Sequence, residues 1–222
     1  MTSIAIMQPY FMPYAGYFRL LQSADLFVIY DCVQFPRRGY VHRNQLLKKS
    51  NGEKKWLTLP LIKQPRSTQI NQLKFKDDSP TTMQSKLLEF GIHKKSVATD
   101  LMLHLLNFEQ SPSNYLKNLL VYVCRHLEIN TRFILSSELD IKPDLKGQDK
   151  IIALVKNLGG TQYINAPNGQ KLYDSACFKR QDINLEFLSP FHGEHISILQ
   201  YFINHDKKTL KQLSQSIKKQ SI

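Results

Sequence analysis

Apolar residues open the chain without polar alternation: Ile4 to Met7 is a short run of the kind shown by a strand buried on both faces. Gln8-Pro9 ends it, because proline donates no N–H and pushes the residue before it towards extended backbone. Pro13 suits the first turn of a helix, and Tyr14, Tyr17, Phe18 and Leu21 then recur at helical spacing. A second continuous apolar run, Leu26 to Tyr30, ends at Asp31. Strand, loop, helix and strand within about thirty residues predict a β-loop-α-β unit, the crossover that two parallel strands need. Ligands of open α/β sheets bind at the carboxyl ends of strands, so Gln8, Tyr10 and Tyr14 after the first strand, and Asp31 and Gln34 after the second, are candidate ligand groups. The alternative is that Gln8 and Asp31 only satisfy backbone groups.

The pattern then changes twice. Tyr40 to Leu47 reads as a strand, Asn51-Gly52 as a turn, and Lys55 to Leu61 alternates well, with Pro60 marking a sheet edge or end. Ile70 to Phe75 has period-two character, so residues 31–75 predict antiparallel structure attached to the first unit. Ser79-Pro80 and Ser111-Pro112 are helix-start pairs, predicting helices over 79–90 and 115–127. Arg132 to Leu135 reads as a strand, 150–158 as a helix stopped by Gly159-Gly160, and 161–174 as a strand ending in the Asn165 to Gly169 loop. Ile183 to Leu188 is a last strand and 195–203 a last helix. The expectation is one α/β domain over 1–205, with a mixed sheet and a helical middle, followed by a basic tail over 206–222.

The 222 residues are 42% hydrophobic, enough for a substantial core. No apolar stretch approaches the roughly 20 residues that span a bilayer, and nothing resembles a signal peptide. Cys32, Cys124 and Cys177 lack metal-site spacing and fit a reducing cytoplasm, where localisation is expected. Thirty Lys and Arg against eighteen Asp and Glu leave a net charge of +12, which attracts acidic partners. Part of the excess lies in the tail. The better anion-site candidate is Arg37, Arg38, Arg43, Lys48 and Lys49, just beyond the second strand.

Positive chemistry is sparse. His192 and His195 lack a clear third metal ligand, so no metal is expected. Cys32 beside Asp31, with His42 to activate it, is a weak nucleophile candidate, since reactivity needs a lowered thiol pKa. No P-loop or Gly-x-Gly-x-x-Gly occurs, and Ser136 and Ser137 lack the Gly-x-Ser-x-Gly elbow. The run Phe11 to Tyr17 resembles the His-x-Gly-His unit of nucleotidylyltransferases, with Tyr14 and Tyr17 at both histidine positions. Tyrosine donates a hydrogen bond but carries no positive charge at neutral pH, so nucleotidyl transfer is the runner-up.

Ile6 to Phe18, Ala24-Asp25, Tyr30 to Phe35, Arg43-Asn44, Trp56 to Pro60 and Tyr163-Ile-Asn with Gly169 and Leu172-Tyr173 together resemble the WbqC-like family, from residue 4 to about 203. Cys32 and Gln200 depart from that family's pattern. The resemblance implies a place in O-antigen or other surface-polysaccharide synthesis, and a transferase moving an acyl or aminoacyl group, glycyl among them, onto the amine of a nucleotide-linked amino sugar. On that expectation Asp31 or His42 serves as base, and Gln8, Asn44 or Tyr14 holds the oxyanion. Arg38 and Arg43 bind the diphosphate, while Tyr10, Gln34, Tyr163, Asn165 and Tyr173 contact substrate. No cofactor is expected, because the acyl donor is a co-substrate carried by an acidic acyl carrier protein or by transfer RNA. The bland alternatives are an Asp31–Arg43 salt bridge, Gln8 and Asn44 satisfying loop backbone, and Tyr163 and Tyr173 in the core. A non-enzymatic protein using its basic face to bind nucleic acid is the third class.

Overall fold

The computed structural model describes residues 2–93, 95–203 and 207–220. The first unit forms as its pattern requires: β1 (Ser3–Met7), α1 (Ala15–Gln22) and β2 (Leu26–Ile29), with Ile4 beside Leu26 and Met7 beside Ile29 in parallel register. Next come the hairpin strands β3 (Arg43–Leu47) and β4 (Lys54–Thr58), and the helices α2 (Ser79–Glu89), α3 (Thr99–Leu106) and α4 (Pro112–His126). The second half supplies β5 (Arg132–Leu135), α5 (Gly147–Asn157), β6 (Gln162–Asn165), α6 (Ser175–Lys179), β7 (Asn184–Phe187), α7 (Leu199–Phe202) and α8 (Lys207–Gln220).

Five strands make one wholly parallel sheet in the order β5-β2-β1-β6-β7. Both faces are covered, which is why β1 and β2 read as unbroken apolar runs. Alternation along them sends Ala5, Phe27 and Ile29 to one face, where α1 and α4 pack, and Ile4, Ile6, Leu26 and Val28 to the other, against Ile151, Leu154 and Val155 of α5 and Phe178 of α6. The result is a three-layer, doubly wound α/β domain.

The α/β class is as the sequence implies, but the antiparallel strands do not join the main sheet. β5 pairs with β2 and so occupies the edge that a strand following β2 could have used. β3 and β4 therefore form a sheet of their own, Gln45 facing Trp56, around a turn in which Gly52 takes a φ of 70°. The strand expected over 70–75 is instead a 310 turn (Ile70–Gln72) followed by a single bridge between Leu61 and Phe75. α3 has no counterpart among the expected helices. The helix expected over 195–203 shrinks to the four residues of α7.

Over its described part the basic tail forms α8. α8 packs on α1, with Ile217 buried and the Ser214 hydroxyl donating to the Leu127 carbonyl at 2.6 Å. Asp206, Ser221 and Ile222 lie outside the described residues. Because Ile217 fills core space, Ile217→Ala lowers stability by roughly 2–5 kcal/mol in chemical denaturation, within one cooperative transition. An unchanged midpoint would mean that α8 is an appendage.

Candidate functional site

In a doubly wound sheet the ligand crevice lies where the chain turns to opposite sides, outside the carboxyl ends of the strands. Here that place is between β1 and β6. A cavity of about 650 Å³ occupies it, walled by Met7, Gln8, Tyr10 and Tyr14 after β1, Gly16 and Arg19 of α1, Tyr30 after β2 and Ile151 of α5. Asn165 to Gly169, Tyr173, Phe191 and His195 close the other side. A larger hollow of about 940 Å³ lies between the 71–77 segment and the α3–α4 junction. It touches no strand end of the parallel sheet and opens broadly to solvent, so the smaller cavity is the better site.

The wall after β1 is held in an unusual conformation. Met12 has a φ of 42°, in the left-handed region, which a non-glycine residue occupies at about 1–3 kcal/mol. Three hydrogen bonds enforce it. Asn44 donates its amide to the carbonyls of Phe11 and Met12 at 3.2 and 2.8 Å, and the Ser197 hydroxyl donates to the Met12 carbonyl at 2.7 Å. The Ile198 N–H bonds the Pro13 carbonyl at 2.9 Å. Tyr14, set by this loop, lies 4.5 Å from the His195 ring and 5.5 Å from Phe191. Gly16 is what lets the rings close: a Cβ there would stand 2.3 Å from the Tyr14 ring and 2.7 Å from Phe191.

The cavity is aromatic and nearly uncharged. Among the described residues no carboxylate or lysine lines it, and its arginine is committed elsewhere. Arg19 donates to the Ser189 carbonyl at 3.0 Å, to the Ser189 hydroxyl at 2.9 Å and to the Gln220 carbonyl, tying α1, the 188–195 segment and the end of α8 together. Burial lowers its pKa slightly from the ordinary arginine value. Burial raises the pKa of Tyr10, Tyr14 and Tyr30, so their hydroxyls stay protonated and can donate. The Tyr17 hydroxyl is already used, donating to the Gln8 carbonyl at 2.8 Å.

Of the residues singled out in the sequence, Gln8, Tyr10, Tyr14, Asn165 and Tyr173 meet in this cavity. Tyr163 stands behind Tyr173, fully buried, with the two hydroxyls 3.4 Å apart. The others lie elsewhere. Asp31 is fully buried and its oxygens are taken: Oδ1 accepts from the Ser136 hydroxyl at 2.9 Å and the Ser137 N–H at 3.0 Å, and Oδ2 from the Ser137 hydroxyl at 2.8 Å. It joins the end of β2 to the end of β5, and neither acts at the cavity nor pairs with Arg43. Asn44 is the loop clamp just described. Gln34 is exposed and donates to the Arg66 carbonyl at 2.7 Å. Arg38 is exposed, and Arg43 lies 4.3 Å over the Trp56 ring while donating to the carbonyls of Gly39 and Arg38. Neither reaches the crevice.

His42 lies in a separate hollow with Arg37 and Lys63, edge-on to Phe35, and its Nδ1 is buried without a partner among the described residues. Burial, then the neighbouring Arg43, lowers its pKa from 6.5 to about 4. The Cys32 Sγ lies 3.1 Å from the Ser136 hydroxyl oxygen, whose proton goes to Asp31. Gln200 accepts the Leu47 N–H at 3.0 Å and so caps the hairpin. Sequence reasoning missed Arg19 and Phe191 as cavity residues, and weighed His195 only as a metal ligand. The aromatic at 191 and the histidine at 195 carry no periodic signal; only the return of the chain past α1 brings them to Tyr14.

The chain matches the WbqC-like protein family over residues 8–205, and it belongs to that family. It is also 27% identical over 192 residues to the uncharacterized protein Rv1507c of Mycobacterium tuberculosis, covering 83% of this chain and 81% of that one. No solved structure matches it. No helix among the described residues is long and apolar enough to cross a membrane.

Two substitutions check these assignments. Asn44→Ala takes the donor from the Phe11 carbonyl, leaves the Met12 carbonyl with Ser197 alone and lowers stability by about 1–3 kcal/mol, read from the denaturant midpoint. For His42, the unfolded chain takes up a proton near 6.5 that the folded chain refuses until about 4. The stability contributed by neutral His42 is therefore complete above 6.5 and lost as pH falls to about 4. The wild-type denaturant midpoint falls across that window, and in His42→Gln it falls less; equal falls would show that another group titrates.

Proposed function

We propose that the protein is an N-acyl or aminoacyl transferase, acting on a nucleotide-linked amino sugar in surface-polysaccharide synthesis, with its chemistry in the crevice between β1 and β6. The observation that carries this reading is the composition of that crevice. It offers rings for a base or sugar to pack on, neutral donors in Gln8, Tyr10 and Tyr14, and one imidazole, His195, on the Tyr14 ring. That is what amide formation from a thioester or ester asks of a protein: a positioned amine, a proton acceptor and donors for the oxyanion.

In this scheme the sugar amine attacks the acyl carbonyl. The C–N bond forms, and the C–S or C–O bond to the carrier breaks. His195 takes the amine proton and returns it to the departing thiolate or alkoxide, as a general base and then a general acid. Tyr14 and Gln8 face the oxyanion. The diphosphate sits at the N-terminus of α1, whose first turn has no acidic side chain to repel it. Asp31, His42 and the two arginines take no part in this version of the reaction.

Nucleotidyl transfer draws on the same place, because Tyr14 and Tyr17 occupy the start of α1 beside the crevice. Against it, the Tyr17 hydroxyl is spent on the Gln8 carbonyl, and among the described residues the cavity's one arginine is held by the Ser189 and Gln220 carbonyls.

The test is incubation with a nucleotide-linked amino sugar and an acyl or glycyl donor, on carrier protein or on transfer RNA, read by mass spectrometry of the sugar. Acylation is expected, with His195→Ala reducing kcat roughly 10²–10⁴-fold and Asp31→Asn leaving it within about threefold in the protein that remains folded. No mass gain with either donor sinks the transferase reading. Nucleotide-dependent release of pyrophosphate instead would favour the second one.

A further inference from the structure

The rings of the crevice continue past its mouth. Tyr10 packs on Tyr17 inside at 5.3 Å and on Tyr40 outside at 5.6 Å, and Tyr40 lies 5.7 Å from Trp56 on β4. The Arg43 guanidinium covers Trp56 at 4.3 Å. Tyr40 is 42% exposed, unusual for so large a ring, and Trp56 is half-buried. The run is fixed to the crevice wall, because the Phe11 N–H bonds the Tyr40 carbonyl at 2.9 Å and Arg43 braces the turn that carries Tyr40.

Cations flank these rings. Pairing in the hairpin buries Asn44, Leu46 and Leu57 on one face, and alternation then puts Arg43, Lys54 and Trp56 on the other. Arg38 lies beside Arg43 through its carbonyl. Among the described residues Arg38, Arg43 and Lys54 have no carboxylate partner, whereas Lys48, Lys55 and Lys218 are each paired with a glutamate. Aromatic rings flanked by cations without carboxylate partners are what bind a single strand of nucleic acid, the rings stacking on bases and the cations meeting phosphates, and Arg43 does so from a place fixed by its bonds to the Gly39 and Arg38 carbonyls.

We propose that the Tyr10, Tyr40 and Trp56 track, with Arg38, Arg43 and Lys54, binds a single-stranded RNA end and so delivers an acyl group esterified to the terminal ribose into the crevice. The delivery step rests on the transferase reading; the binding track does not. In that step the sugar amine attacks the ester carbonyl, the C–N bond forms, the C–O bond breaks, and the ribose hydroxyl leaves with the amine proton. An acidic carrier protein would match the same cations. What favours RNA is that Trp56, Tyr40 and Tyr10 follow one another at 5.7 and 5.6 Å up to the crevice wall, a stacking surface for bases that a carrier protein's acidic face does not use.

The experiment is fluorescence anisotropy with a labelled, unacylated ribo-oligonucleotide of about eight nucleotides, compared with the duplex of the same length. The single strand is expected to bind more tightly than the duplex. Tyr40→Ala and Trp56→Ala each weaken it roughly fivefold to a hundredfold, as losing one stacked base does, while Trp56→Phe keeps most of the affinity. Arg38→Ala reduces the salt dependence by about 0.7 in log–log slope, and Lys218→Ala, whose ammonium on α8 is paired with Glu128, changes affinity by less than about twofold. Circular dichroism of each variant checks the fold.

Ring substitutions without effect, equal binding of duplex, or an acyl carrier protein whose binding falls on Tyr40→Ala while RNA binding does not, would each overturn the proposal. Calorimetry with the nucleotide-linked sugar separates the two readings. RNA binding lost in Tyr40→Ala with sugar binding kept supports a track distinct from the crevice. Wild-type protein that binds RNA on these rings but no nucleotide-linked sugar supports the track and overturns the transferase.

Discussion

β1 is hydrogen-bonded on both sides, to β2 on one and β6 on the other, and from this the remaining architecture follows. The chain leaves it through α1 towards β2 and β5, and much later returns through α5 to its opposite edge. A parallel sheet wound in both directions from a central strand has a gap beyond that strand's carboxyl end, where no connection crosses. Gln8, Tyr10 and Tyr14 border the gap because they are the first residues past β1. Asn165 to Gly169 border it because they end β6 and follow it. The cavity is thus a product of topology before it is a product of side chains.

The loop between β1 and α1 shows how side chains with chemical potential are spent on holding the site. Asn44 and Ser197 come from the hairpin and from the segment before α7, and both bond the same Met12 carbonyl. Their combined hold is what makes a left-handed methionine tolerable, and it sets the direction in which Tyr14 points. Arg19 does similar work from below, joining three segments through one guanidinium. Asp31 joins two strand ends. Each of these polar groups is buried and satisfied by protein, which is the normal condition for such groups and leaves none of them free for a ligand.

Charge and chemistry are separated in this molecule. The excess of thirty basic over eighteen acidic residues lies on the outside, and the crevice itself is aromatic and nearly neutral. Such a wall favours a ligand held by ring contacts and neutral hydrogen bonds, with anionic parts turned towards the helix terminus or the rim. The exposed cations act over longer range, raising the local concentration of acidic partners.

Local pattern determined much of this. Unbroken apolar runs marked the doubly covered strands, Ser-Pro pairs marked α2 and α4, and the Gln8 to Tyr14 block marked one wall of the site. These features depend on residues close together in the chain, so a linear reading captures them. The docking of α8, the isolation of the hairpin and the companionship of Tyr14 with Phe191 and His195 depend on contacts between distant segments. The sequence also drew Asp31, Asn44 and Arg43 into the same site as Gln8, because all follow the first strands. Only the tertiary structure decided that Asp31 faces two serines of the β5 exit and Arg43 a tryptophan of the hairpin. Proximity along the chain says which residues follow a strand end; the packing of other segments against that end decides which of them remain available.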